Sequence, residues 1–133
     1  MSLQYPFPSR TITAGLGTYG ARRHPITGRR SFHKGVDFDV HGGAKVHPAG
    51  PGRIVDRRYT PVGGHTVTIE HEDGARTKYL HLRHSCPLEV GTDVTRESVI
   101  GVVGSSGSGA MGEHLCMEVW VDGSHVDPGT VLS

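Results

Sequence analysis

At 133 residues the chain is long enough to bury a core of its own and is read as a single domain. Its 14 Lys and Arg against 13 Asp and Glu leave a net charge of +1, so no strong field draws it to nucleic acid, and no apolar run is long enough to insert into a membrane. The 20 Gly and 8 Pro, with few aromatic residues and no long amphipathic stretch, predict a mostly β chain of short strands and many turns.

Residues 1–10 read as an N-terminal tail, Met1-Ser2-Leu3 being open to interpretation as an expression scar, and residues 11–133 as the domain. Arg22, Arg23, Arg29 and Arg30 form a basic patch, either a solvated loop or an attraction for an anionic polymer. In the segment from His33 to Val40, Val36, Phe38 and Val40 alternate as a core face and leave Asp37 and Asp39 on the polar face. Gly35 is expected to turn the backbone sharply, so that His33 and Asp37 converge. Gly42-Gly43 and Gly63-Gly64 mark turns. Strands are predicted at Val67–His71 and Arg76–Leu82, joined by a hairpin at Glu72-Asp73-Gly74. In the second of them Leu80 and Leu82 are read as buried, with Tyr79 and His81 on the other face. Cys86 falls in the loop that follows. Gly104 to Gly112 is a Gly/Ser-rich loop, with no Gly-Lys-Ser/Thr signature of a phosphate loop. From Gly112 to Val121 the alternation is strict: Leu115, Met117, Val119 and Val121 point one way, His114, Cys116, Glu118 and Trp120 the other. Asp122-Gly123 then reads as a hairpin turn into His125-Val126.

Two metal-binding groups, His114 and Cys116, thus share one strand face. Zinc accepts imidazole nitrogen, carboxylate oxygen and thiolate sulfur, and a catalytic zinc usually keeps three protein ligands and an open position. His33, Asp37 and Cys116 make such a set. His81 and His114 are then the imidazoles available as general base or stabiliser of developing charge, since no His-Glu-x-x-His helix motif is present. Glu118 could orient a catalytic His. Tyr79 could donate a hydrogen bond into the site, although a half-buried structural role is favoured. Asp39 is read as a solvated neighbour, and His24, His41, His47, His65, His71, His84 and His125 as surface or loop residues. A Cys86–Cys116 disulfide is left open, because distance decides it. A Cys116 nucleophile paired with His114 would leave His33 and Asp37 without a role.

His33-x-x-x-Asp37, Tyr79-Leu80-His81-Leu82 and His114-Leu115-Cys116, in that order, resemble the lysostaphin/LytM-type zinc metallopeptidases. The resemblance runs from about Thr11 to Leu132 and includes Arg23 to Gly28 and Val126-Asp127-Pro128. It implies an antiparallel, sandwich-like β fold of the LytM type (the duplicated hybrid motif), with an active-site groove between loops. It also implies a zinc-dependent endopeptidase acting on cross-bridge or stem peptides of peptidoglycan. By the same resemblance His33 and Asp37 bind zinc, His81 and His114 are catalytic, and Cys116 stands where the family has its third zinc-binding His. A thiolate there would add a second anionic ligand and weaken zinc as a Lewis acid. The expected partner is a peptidoglycan peptide, met as a monomer at the cell wall after secretion, in the periplasm or by phage delivery; no signal peptide is seen. The alternative is a catalytically degenerate LytM-like module that binds cell wall or regulates another hydrolase.

Overall fold

The computed structural model describes Leu3, Gln4, Pro6 and residues 19–23, 27–38, 42–107 and 113–132. Asp39, Val40, His24, His41 and the end of the Gly/Ser loop lie outside the described residues. Among these residues eleven strands follow in chain order: β1 (Gly20–Arg23), β2 (Arg30–His33), β3 (Gly35–Phe38), β4 (Lys45–Val46), β5 (Gly52–Thr60), β6 (Gly64–His71), β7 (Arg76–Leu82), β8 (Asp93–Val94), β9 (Gly101–Val102), β10 (Leu115–Val121) and β11 (Ser124–Val126). Among the described residues there is no α-helix, only a 3-10 turn at Pro128–Thr130. The main sheet runs β11-β10-β7-β6-β5-β8, antiparallel throughout. One edge of β10 pairs with β7. The other is shared end to end, β3 covering Leu115 to Glu118 and β11 covering Val119 to Val121. β1–β2 and β4–β9 are separate two-stranded ribbons. Of the Arg patch, Arg22 and Arg23 lie on β1 and Arg30 on β2, so these three belong to a ribbon, with Arg23 opposite Arg30.

Both predicted hairpins form. Gly74 (φ 86°) lies in the β6–β7 turn, and Asp122 (φ 52°) with Gly123 (φ 80°) makes the two-residue β10–β11 turn. Two successive positive φ angles match the right-handed strand twist, which is why Asp-Gly suits this place. Gly35 has a different reason from the one expected. Its φ is not in the left-handed region; instead, a Cβ there would run into the Met117 carbonyl on β10. The requirement is a close approach of two backbones, and it is what lets β3 lie against β10.

The core lies on one face of the sheet. Val36, Phe38, Leu115, Met117 and Val119 are all buried there, as the period of two predicts. Leu3 is buried too and bridges to Leu132, and Gln4 donates its amide to Ala49, so these two residues pack on the body and are not a loose tail.

β7 departs from expectation. Tyr79 is fully buried, and Leu80 lies on the open face. Between β6 and β7 the pairing slips: His65 faces Leu82 but Val67 faces Tyr79, so β7 carries one extra residue. Such a bulge reverses the alternation beyond it, and Leu80 and Leu82 end on opposite sides. Tyr79 is held by a chain of hydrogen bonds. Ala49 N–H donates to its oxygen at 2.9 Å, its hydroxyl is 2.6 Å from Thr77 Oγ1, and Thr77 is 2.9 Å from His71 Nε2. His71 Nδ1–H donates to the Pro51 carbonyl at 2.9 Å, so its other ring nitrogen, Nε2, is the one that meets Thr77. Burial pushes the Tyr79 hydroxyl up to about 12, and it stays a neutral donor. His71, expected at the surface, is thus a buried part of the fold. Tyr79→Phe leaves Ala49 N–H without its acceptor and is expected to destabilise by about 1–3 kcal/mol in urea unfolding, without change in metal content.

Candidate metal centre

Four short stretches of chain meet at the polar end of β10. Asp37 on β3 is directly opposite Cys116 on β10, so their side chains emerge on the same face of the sheet. His33 ends β2, and the chain passes through Lys34 into β3, which returns its imidazole over Asp37. His33 Nε2 lies 3.4 Å from Asp37 Oδ1 and 3.5 Å from Cys116 Sγ. One ligand atom from each of His33, Asp37 and Cys116 falls within 4.8 Å of the other two. His114, just before β10, brings its Nε2 to 3.5 Å from Asp37 Oδ1. The ring of His81 is 5.0 Å from that of His114, tilted by 47°. The five residues singled out in the sequence are therefore neighbours.

The electrostatics are those of a prepared cation site. Asp37 Oδ1 is sealed from solvent and has no close hydrogen-bond partner; the His33 and His114 imidazoles stand at 3.4 and 3.5 Å, long for hydrogen bonds, and still favour its charged form. A buried acceptor left unsatisfied calls for an explanation, and a cation among nitrogen, oxygen and sulfur donors supplies one. Burial by itself would raise the Asp37 carboxyl, but His114 and His33 beside it outweigh this and hold it well below the usual carboxylate range. The donor set fits zinc and does not fit magnesium or calcium, which take oxygen ligands. Cys86 and Cys116 are both free thiols, which removes the disulfide alternative.

His81 reaches the site by a route the sequence did not reveal. It occupies the β7 bulge with φ 63°, in the left-handed region, which turns its ring out of simple alternation. Its Nδ1–H donates to the Ser106 carbonyl at 2.8 Å, fixing the tautomer that leaves the lone pair on Nε2. Ser106 belongs to the Gly/Ser-rich loop and was not singled out. Its composition marked a loop, but nothing in it marked which carbonyl would meet His81. Glu118 accepts from Trp120 Nε1 at 2.9 Å, which gives it a partner other than the catalytic His expected of it.

Burial is the main influence on His81 and lowers its pKa from 6.5, the Ser106 bond opposing it in part. The unfolded chain therefore takes up this proton at higher pH than the folded one. Stability from this group is complete above 6.5 and is lost as pH falls through the lower folded value. His81→Gln is expected to flatten the fall in melting temperature of the metal-free protein between about pH 7 and about pH 5.

Residues 31–128 match Peptidase family M23, and the chain belongs to that family. It is 37% identical over 118 residues to the peptidoglycan DD-endopeptidase ShyB of Vibrio cholerae, an alignment covering 89% of this chain but 27% of that protein. Among solved structures it resembles a zinc containing peptidase from Vibrio cholerae, with TM-score 0.84 and 35% identity over 96% of this chain and 39% of that one. The catalytic domain of lysostaphin from Staphylococcus simulans gives TM-score 0.73 and 28% identity, covering 85% of this chain and 86% of the other. The all-β LytM-like architecture is thus shared with metallopeptidases, while the chain spans only about a quarter of its curated relative's length.

Proposed function

We propose that this chain is a zinc-dependent endopeptidase that hydrolyses peptide bonds in bacterial peptidoglycan, acting as a monomer at the cell wall. The observation that carries the reading is the convergence of His33, Asp37 and Cys116 on one point, with Asp37 Oδ1 buried and lacking a close hydrogen bond. His33 Nε2, Asp37 Oδ1 and Cys116 Sγ would hold the ion. When bound, zinc supplies Lewis-acid polarisation of the scissile carbonyl and makes a water acidic enough to attack near neutral pH.

The chain's own residues do the rest. His81 is held neutral by burial, with its proton on Nδ1, and offers Nε2 as a proton acceptor. His114 stands between His81 and the carboxylate. Together the two imidazoles take the proton of the attacking water and stabilise charge on the substrate oxygen. His33, Asp37 and His114 expose only 12–18% of their side chains, and partial exclusion of water strengthens each of these interactions.

The test pairs zinc content with hydrolysis. Reduced protein is reloaded with zinc, the metal is counted, and release of soluble fragments from peptidoglycan sacculi is followed with and without a chelator. One zinc per chain, with release abolished by chelation and restored by zinc, is expected. Cys116 in place of the family's His favours a second reading, a wall-binding module without catalysis. Binding to sacculi with no zinc uptake and no release would establish that reading instead.

A further inference from the structure

We propose that Lys78 is a specificity-determining residue that receives a carboxylate on the substrate residue flanking the scissile bond; this rests on the endopeptidase reading above. The open face of the sheet is laid out in rows by strand register. Asp37, Cys116 and Leu80 share one row. The next carries Glu118 beside Lys78, and the one beyond carries Trp120 beside Arg76. Rows two residues apart on a strand are separated by roughly 7 Å. With the scissile bond over the Asp37–Cys116 row, a long side chain on the flanking residue and the lysine's own stem together span that distance to Lys78.

The charges along this trough are not equivalent. Arg58 is committed to Asp56, through two hydrogen bonds of 2.6 and 3.1 Å, and Arg76 to Glu70, through two of 3.1 and 2.9 Å. Glu118 takes the Trp120 indole N–H. Lys78 differs: among the described residues no carboxylate comes within ion-pair distance of it. Its ammonium is held 4.8 Å above the Trp120 ring, with Lys34 more distant at 5.9 Å. An aromatic face positions a cation without neutralising it. Lys78 also stands where two hollows meet, one of about 470 Å³ that includes Leu80 and Glu118, the other of about 380 Å³ that includes Trp120 and Asp122. Half-buried Lys78, its ammonium positioned by a ring and Glu118 opposite it on β10 but beyond ion-pair distance, stands in a trough next to the metal centre with charge left to meet an anionic group. A stem peptide bearing a free carboxyl beside the scissile bond meets that requirement, and an oligoglycine bridge does not.

The experiment measures equilibrium binding to zinc-loaded protein in the His114→Ala background, where turnover does not intervene. Three synthetic cross-linked stem peptides are compared. In one the residue flanking the scissile bond carries a free α-carboxyl, in another a free side-chain carboxyl, and in the third both are amidated. One of the two acids is expected to bind roughly tenfold tighter than the amidated peptide, as a charge-assisted hydrogen bond allows, and which one it is identifies the carboxyl recognised. Lys78→Met, which keeps the stem over Trp120, is expected to erase that preference, and Lys78→Arg to retain most of it. Equal binding of all three peptides, no binding of any, or a preference that survives in a folded Lys78→Met protein would overturn the assignment. Failure of the endopeptidase reading is seen separately, as absent hydrolysis of sacculi by the unmodified protein.

Discussion

Cys116→Ala is expected to lower zinc affinity by about two orders of magnitude, to be measured by competition with a chromophoric chelator. The magnitude follows from structural zinc sites, where about 10–16 kcal/mol is shared among four ligands, or about 3 kcal/mol each, and 1.4 kcal/mol is tenfold. Cys116 Sγ lies 3.5 Å from His33 Nε2, and with Asp37 these ligand atoms fall within 4.8 Å of one another. Cys116→His is the informative counterpart. It supplies the imidazole that the sequence resemblance implies at this position, removes one anionic ligand, and is expected to keep zinc and keep or raise the rate of peptide hydrolysis. Unchanged zinc binding in Cys116→Ala would show that sulfur is not a ligand, and complete loss of zinc in Cys116→His would count against this geometry.

His114→Ala is expected to reduce kcat for peptidoglycan hydrolysis by about 10²–10⁴-fold, the usual range for removing a positioned acid–base group, and to retain zinc. The second readout matters, because His114 Nε2 is nearly as close to Asp37 Oδ1 as His33 Nε2 is, 3.5 Å against 3.4 Å. A His114→Ala protein that loses its zinc would make His114 a ligand and displace Cys116 from that role. His81→Ala separates the pair further. Its ring is anchored through Ser106, and it is not part of the His33–Asp37–Cys116 cluster, so zinc retention is expected there in either case.

The legible parts of the site are those carried by regular alternation. On β10 and β3 the apolar residues repeat every second position, so the sequence alone placed Leu115, Met117, Val36 and Phe38 in the core and left Cys116 and Asp37 on the opposite face. The two Asp-Gly and Asp-Gly-like hairpins were legible for the same local reason, since turn geometry is set by the residues that occupy it. β7 was misread because alternation assumes an unbroken ladder. The extra residue near Leu80 and His81 is accommodated by pairing with β6, and no Gly or Pro marks it.

The sequence by itself determined the composition of the site, the strand faces and the turns, because these depend on residue type and on spacing within one strand. Only the tertiary structure decided which distant groups meet. It seats Gly35 against the Met117 carbonyl so that β3 can pair with β10, buries Tyr79 and His71 in one hydrogen-bond chain, and lets Ser106 fix the His81 tautomer across 25 residues. The charge state of the Lys78 trough belongs to the same class. Whether a cation is neutralised depends on register across strands, and register is fixed by the packing of one whole face of the sheet.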